Sequence, residues 1–150
     1  MSDFRYRPAG LYIFEAEWQD LYLLTEHWKS DILFYADDLK FLRHLIDKYF
    51  IWITKKENID VVREAEVNLM EADKQCASLL NRIDIHLTHL AELIDDPFRY
   101  DSHLFRSEHG TLEDDLTNFR KIVRQNRKDI LTITEQVIDS EKFMDKIMSK

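Results

Sequence analysis

The sequence predicts an all-α fold, an antiparallel up-down-up bundle of three long helices over about 13–53, 57–95 and 111–148, with a short helix in the 96–109 connection. Three observations predict it. The only Gly and Pro residues are Pro8, Gly10, Pro97 and Gly110, so the chain from Leu11 to Asp96 has neither of the two strongest breakers of regular structure. Alternating steps of four and three then give Phe14, Trp18, Leu21, Thr25, Trp28, Ile32, Tyr35, Leu39, Leu42, Ile46, Tyr49 and Ile53, a seam with one polar member. The same steps near the C-terminus give Leu112, Leu116, Phe119, Val123, Asn126, Ile130, Ile133, Val137, Ser140, Met144 and Ile147.

The first helix ends where this phase breaks, between Ile53 and Ile59. Thr54-Lys55-Lys56-Glu57 has capping-box spacing there, and Asn58 is a second candidate cap. The middle helix has one clear column, Val62, Leu69, Cys76, Ile83 and Leu90. It has two candidates for the other: Ala65, Ala72, Leu79, His86 and Leu93, or Glu66, Asp73, Leu80, Leu87 and Ile94. Its small residues leave room for bulky ones opposite. A first hairpin turning near residues 55–57 sets Tyr35 near Cys76, Leu39 near Ala72 and Ile46 near Ala65. A second, closing the 96–109 connection, sets Leu90 near Leu116 and Ile83 near Val123. Asp96-Pro97 reads as a cap with a first-turn proline, and Gly110-Thr111 as the opening of the third helix.

With 150 residues, 45% of them hydrophobic, the chain is long enough for one domain with a sizeable core, preceded by an arm over 1–12. Eighteen aromatics argue against disorder, and Cys76 alone excludes a disulfide framework. A formal charge of −8 repels nucleic acid and anionic membrane surfaces. The basic face of Arg120, Lys121, Arg124, Arg127 and Lys128 follows Glu113, Asp114 and Asp115 and carries no interleaved aromatics, so it reads as a solvated surface or the match for an acidic helix. Met1–Arg7 lacks a signal-like apolar core, and Tyr49–Ile53 is too short to span a bilayer. The expected location is the cytoplasm.

Two features point to function. Ten of the 18 aromatics lie between Phe14 and Trp52, and beyond the seam Leu23, Phe34, Phe41, Leu45 and Trp52 form a second stripe, interrupted by Asp38 and Lys48. Left exposed, such a stripe is an interface to another protein, most simply a second copy in a homo-oligomer; otherwise the arm, with Phe4, Tyr6 and Tyr12, covers it. The second feature is histidine. The topology brings His27, His86, His89, His103 and His109 towards one end, and His86 and His89 share a helix face with His27 level with them. These three are the candidate ligands of a transition metal, the alternative to a chain with no cofactor. No paired metal motif, phosphate loop or nucleophile elbow is present, and Cys76 falls on the core arc, so no enzyme is expected. Glu66 and Asp73, a heptad apart, are expected with Thr25 and Asn126 to fix register rather than to do acid-base work.

Overall fold

The structure, a computed structural model, describes the backbone of residues 14–56 and 59–148 and the side chains of residues 14–51 and 59–135. Among these the chain is a three-helix bundle without strands: α1 (Trp18–Lys56), α2 (Ile59–Asp95) and α3 (Ser102–Met148). The seams are the core. Leu21, Trp28, Ile32, Leu39, Leu42 and Ile46 of α1 are buried, as are Leu112, Leu116, Phe119, Val123, Asn126 and Ile130 of α3. In α2 the buried set is Val62, Ala65, Leu69, Ala72, Cys76, Leu79, Ile83, His86, Leu90 and Leu93. The column of alanines therefore faces inwards, and Glu66 stays at the surface.

By its contacts the chain divides into two compact units. The first takes the chain up to Phe34 together with Cys76–Arg120, and the second takes Tyr35–Gln75 together with the chain from Lys121 onwards. In the first, Lys29 pairs with Asp84 at 2.8 Å and the Cys76 thiol donates to the Ile32 carbonyl at 3.8 Å, so residue numbers fall along α2 as they rise along α1. In the second, Arg43 pairs with Asp73, and Tyr49 and Ile133 pack on Val62. Both sets lie within about a turn of the expected first-hairpin register and are compatible with the up-down-up order.

The start of α3 differs from the sequence reading. It begins at Ser102, nine residues before the expected 111, and no separate short helix precedes it. The Asp101 carboxylate accepts the Leu104 backbone N–H at 2.8 Å, a stronger start signal than the one read at Gly110. Gly110 is carried inside the helix at a cost of about 1 kcal/mol. The added turns bury Phe105 and His109, and enclosing one large apolar side chain stabilises by roughly 1.5–3 kcal/mol. The connection shrinks to 96–101. There Asp96 accepts the Phe98 N–H at 3.1 Å and Glu92 holds both Arg99, at 3.1 Å, and the Tyr100 hydroxyl. The α2–α3 register shifts with it, so that Arg82 meets Asp115 at 2.8 Å and Asn126 reaches the Asn68 carbonyl at 3.4 Å.

The polar seam residues are satisfied differently from one another. Asn126 bonds across helices, whereas Thr25 and Thr134 donate to the carbonyls of Leu21 and Ile130 on their own helices, at 2.7 and 2.9 Å. Asp73 is half-buried in its pair with Arg43. No helix among the described residues is long and apolar enough to cross a membrane.

Candidate functional site

The first unit encloses a column of aromatic rings drawn from all three helices. The Trp28 indole of α1 stacks on His109 of α3 with centroids 4.6 Å apart. His109 Nδ1 lies 2.7 Å from Nε2 of His86 on α2. The far face of this group is closed by Phe105, stacked on His86 at 4.6 Å and nearly parallel. Trp18 meets Phe105 edge-on at 5.7 Å, and Arg106 lies 4.0 Å over the Trp18 ring while donating to the Ala16 carbonyl at 2.7 Å. His86 is 7% exposed and His109 is 0% exposed.

Two buried imidazoles sharing one hydrogen bond leave a nitrogen to account for, because each neutral ring has one N–H and one lone pair. Nε2 of His109 has no hydrogen-bond partner among the described residues. If His86 donates, that nitrogen is a buried N–H without an acceptor; if His109 donates, it is a bare lone pair. Orphaned donors are the rarer and costlier case. The favoured arrangement therefore has His109 Nδ1–H donating to His86 Nε2, with the proton of His86 on Nδ1. Burial keeps both rings neutral. His86 falls from the ordinary 6.5 to about 4, lowered further by the neighbouring His89 and Arg82, and His109 falls to about 3, lowered further by His86 and Arg106.

His86 also lines a cleft of about 310 Å³ between α2 and α3, with Arg82, Ile85, His89, Glu108 and Leu112 among its walls. Four residues beyond His109, Glu113 is half-buried, and burial and the neighbouring Asp114 raise its carboxyl to about 7. No poised nucleophile stands beside these groups among the described residues. The hydroxyls of Thr25, Thr88 and Thr111 each donate to the carbonyl four residues back, and burial pushes the Cys76 thiol up, away from its reactive thiolate.

Of the three candidate metal ligands, His86 is committed to His109, His89 tilts on Tyr100 at 5.2 Å, and His27 sits at the surface. Among the described residues no three His, Cys, Asp or Glu side chains gather in a way that holds a metal ion. The histidine that matters most in the structure, His109, falls in the connection by the sequence reading. Stepping back from Leu112 by three and then four residues reaches His109 and Phe105, so the signal was in the seam itself.

On the outer side of α1, Leu23, Phe34 and Phe41 are 56%, 64% and 50% exposed. Leu45 is half-buried, and the side chain of Trp52, like the arm over 1–12, lies outside the described residues. Asp38, which interrupts the stripe in the sequence, turns towards α3, where Arg127 donates to both its oxygens at 3.2 and 3.3 Å. Comparison with protein-family models, curated proteins and solved structures gives no match for the chain.

Proposed function

We propose that the chain is a non-enzymatic assembly module that associates with a second copy of itself through the outer stripe of α1. The observation that carries this reading is that Leu23, Phe34 and Phe41 stay exposed while Asp38, the acid set among them, is taken up by Arg127. Large apolar side chains remain towards solvent, and the charge that would oppose their burial is neutralised within the chain. A twofold pairing of one helix face with itself needs no further partner and brings aromatic anchors from both copies together. The formal charge of −8 carried by the chain disfavours nucleic acid and anionic membranes as partners, and a single buried thiol suits a reducing cytoplasm. The transition-metal alternative has no supporting geometry among the described residues.

Sedimentation velocity over a range of concentrations tests the reading, with helical content followed by circular dichroism. The wild type is expected to dimerise and Phe34→Glu with Phe41→Glu to remain a folded monomer. Phe98→Glu, at a still more exposed apolar site in the α2–α3 connection, is expected to leave the dimer intact. A wild type that stays monomeric throughout, or a doubly substituted chain that still dimerises, contradicts the proposal.

A further inference from the structure

We propose that the His86–His109 pair is a proton-operated latch in the core of the first unit: with both rings neutral the core is closed, and proton uptake from the adjoining cleft opens it, while the packing of the second unit is unaffected. The geometry provides an entrance and no resting place for a charge. His86 is the member of the pair that lines the cleft, so a proton arriving there reaches the pair directly. His109, behind it, has its ring face covered by Trp28, and its remaining nitrogen meets no acceptor among the described residues. A proton added to either ring must then be held among buried rings with no carboxylate paired to either imidazole among the described residues, and an uncompensated buried charge is among the costliest defects a core can carry.

The groups around the pair act in both senses. From α1 it meets the Trp28 indole. From α2 it feels Arg82 and His89, and from α3 Arg106, all of which oppose a further positive charge. Glu108 stands in the wall of the same cleft, and Glu113 lies one turn beyond His109. An unfolded histidine takes up its proton near 6.5, whereas the folded rings wait until about 4 and about 3. Between these values the unfolded or opened chain binds more protons, so the stability contributed by the pair is full above 6.5 and is lost as the pH falls below it. Glu113 acts in the opposite sense. Its folded carboxyl is protonated from about 7 downwards, before an opened one near 4.5, so acid stabilises the closed form through this residue and offsets part of the histidine effect. Among the described residues of the second unit the buried polar side chains are Asn126 and Thr134, neither of which titrates.

Amide hydrogen exchange of the full chain at pH 7 and pH 5, corrected for the intrinsic pH dependence of exchange, tests the latch. Protection at His86, His109 and their neighbours is expected to fall by about tenfold or more relative to that at Leu69 and Ile130. Glu113→Gln removes the offset and is expected to steepen the fall to about a hundredfold or more. His86→Phe with His109→Phe, if folded, is expected to abolish it; if that variant does not fold, the wild type and Glu113→Gln decide. An equal loss in both units, or no loss at His86 and His109 in the wild type and Glu113→Gln alike, overturns the proposal.

Discussion

The two units are built from one heptad pattern on the same three helices, yet they bury different chemistry. The second is closed mainly by aliphatic and small residues, Leu39, Leu42, Ile46, Val62, Ala65, Leu69, Ala72, Val123 and Ile130, with Asn126 and Thr134 as its buried polar groups. The first places Trp28, Phe105, Phe119, His86 and His109 at corresponding positions of the seam. Periodicity decides which residues go inside, and their identity decides what the interior responds to. An aliphatic core is indifferent to pH, whereas a core with two imidazoles and an unmatched nitrogen is stable only while those rings are neutral.

Truncations of the two cores give the largest expected effects. Trp28→Ala removes the ring stacked on His109 and is expected to cost about 3–5 kcal/mol in guanidinium unfolding, with hydrogen exchange locating the loss in the first unit. Leu39→Ala in the second is expected to cost about 2–4 kcal/mol, with the loss located there instead. If either substitution weakened protection evenly along the whole chain, the distinction between the two cores would have no energetic meaning.

The next effect in size lies within the aromatic column. His109→Leu leaves His86 Nε2 buried without its partner and is expected to cost about 2–3 kcal/mol. Adding His86→Leu removes that orphan and is expected to recover at least about 1 kcal/mol of the loss. Strictly additive costs in this double-mutant cycle would show that the 2.7 Å contact carries no coupling.

Smaller effects are expected where the second unit holds its polar residues. Asn126→Leu gives up one long bond to the Asn68 carbonyl and gains apolar burial, so thermal unfolding is expected to shift by no more than about 1 kcal/mol in either direction. Arg127→Ala removes the half-exposed guanidinium from Asp38 and is expected to cost less than about 1 kcal/mol, less again at high salt.

Much of this bundle was legible in the sequence because burial follows period. Trp28, Ile32, Leu39 and Leu42 were placed inside by spacing alone, and they are inside. Period leaves two candidate columns in α2, and the first-hairpin register, with Leu39 near Ala72 and Ile46 near Ala65, favours the alanines. The structure selects the column of Ala65 and Ala72, the small residues that dense packing favours opposite the large seam of α1. The start of α3 was misplaced because Gly110 is a strong breaker by local propensity, and the cap at Asp101 with the burial of Phe105 and His109 outweighs it. That one displacement hid the ring column, since it moved both residues out of the helix and shifted the α2–α3 register. The histidines were recognised as clustered, but a sequence does not show which nitrogen meets which. Their clustering is compatible with a shared metal as well as with the direct contact between His86 and His109. The outer stripe was read with five members; the structure leaves Leu23, Phe34 and Phe41 exposed and draws Leu45 partly inwards.

Hydroxyl-radical footprinting across a dilution series tests the proposed self-association at the residues that carry it. Phe34 and Phe41 are expected to become protected as concentration rises while Phe98, more open to solvent than either, keeps its reactivity. Unchanged reactivity of Phe34 and Phe41 over the range in which the chain associates would contradict the account and place the interface on another face.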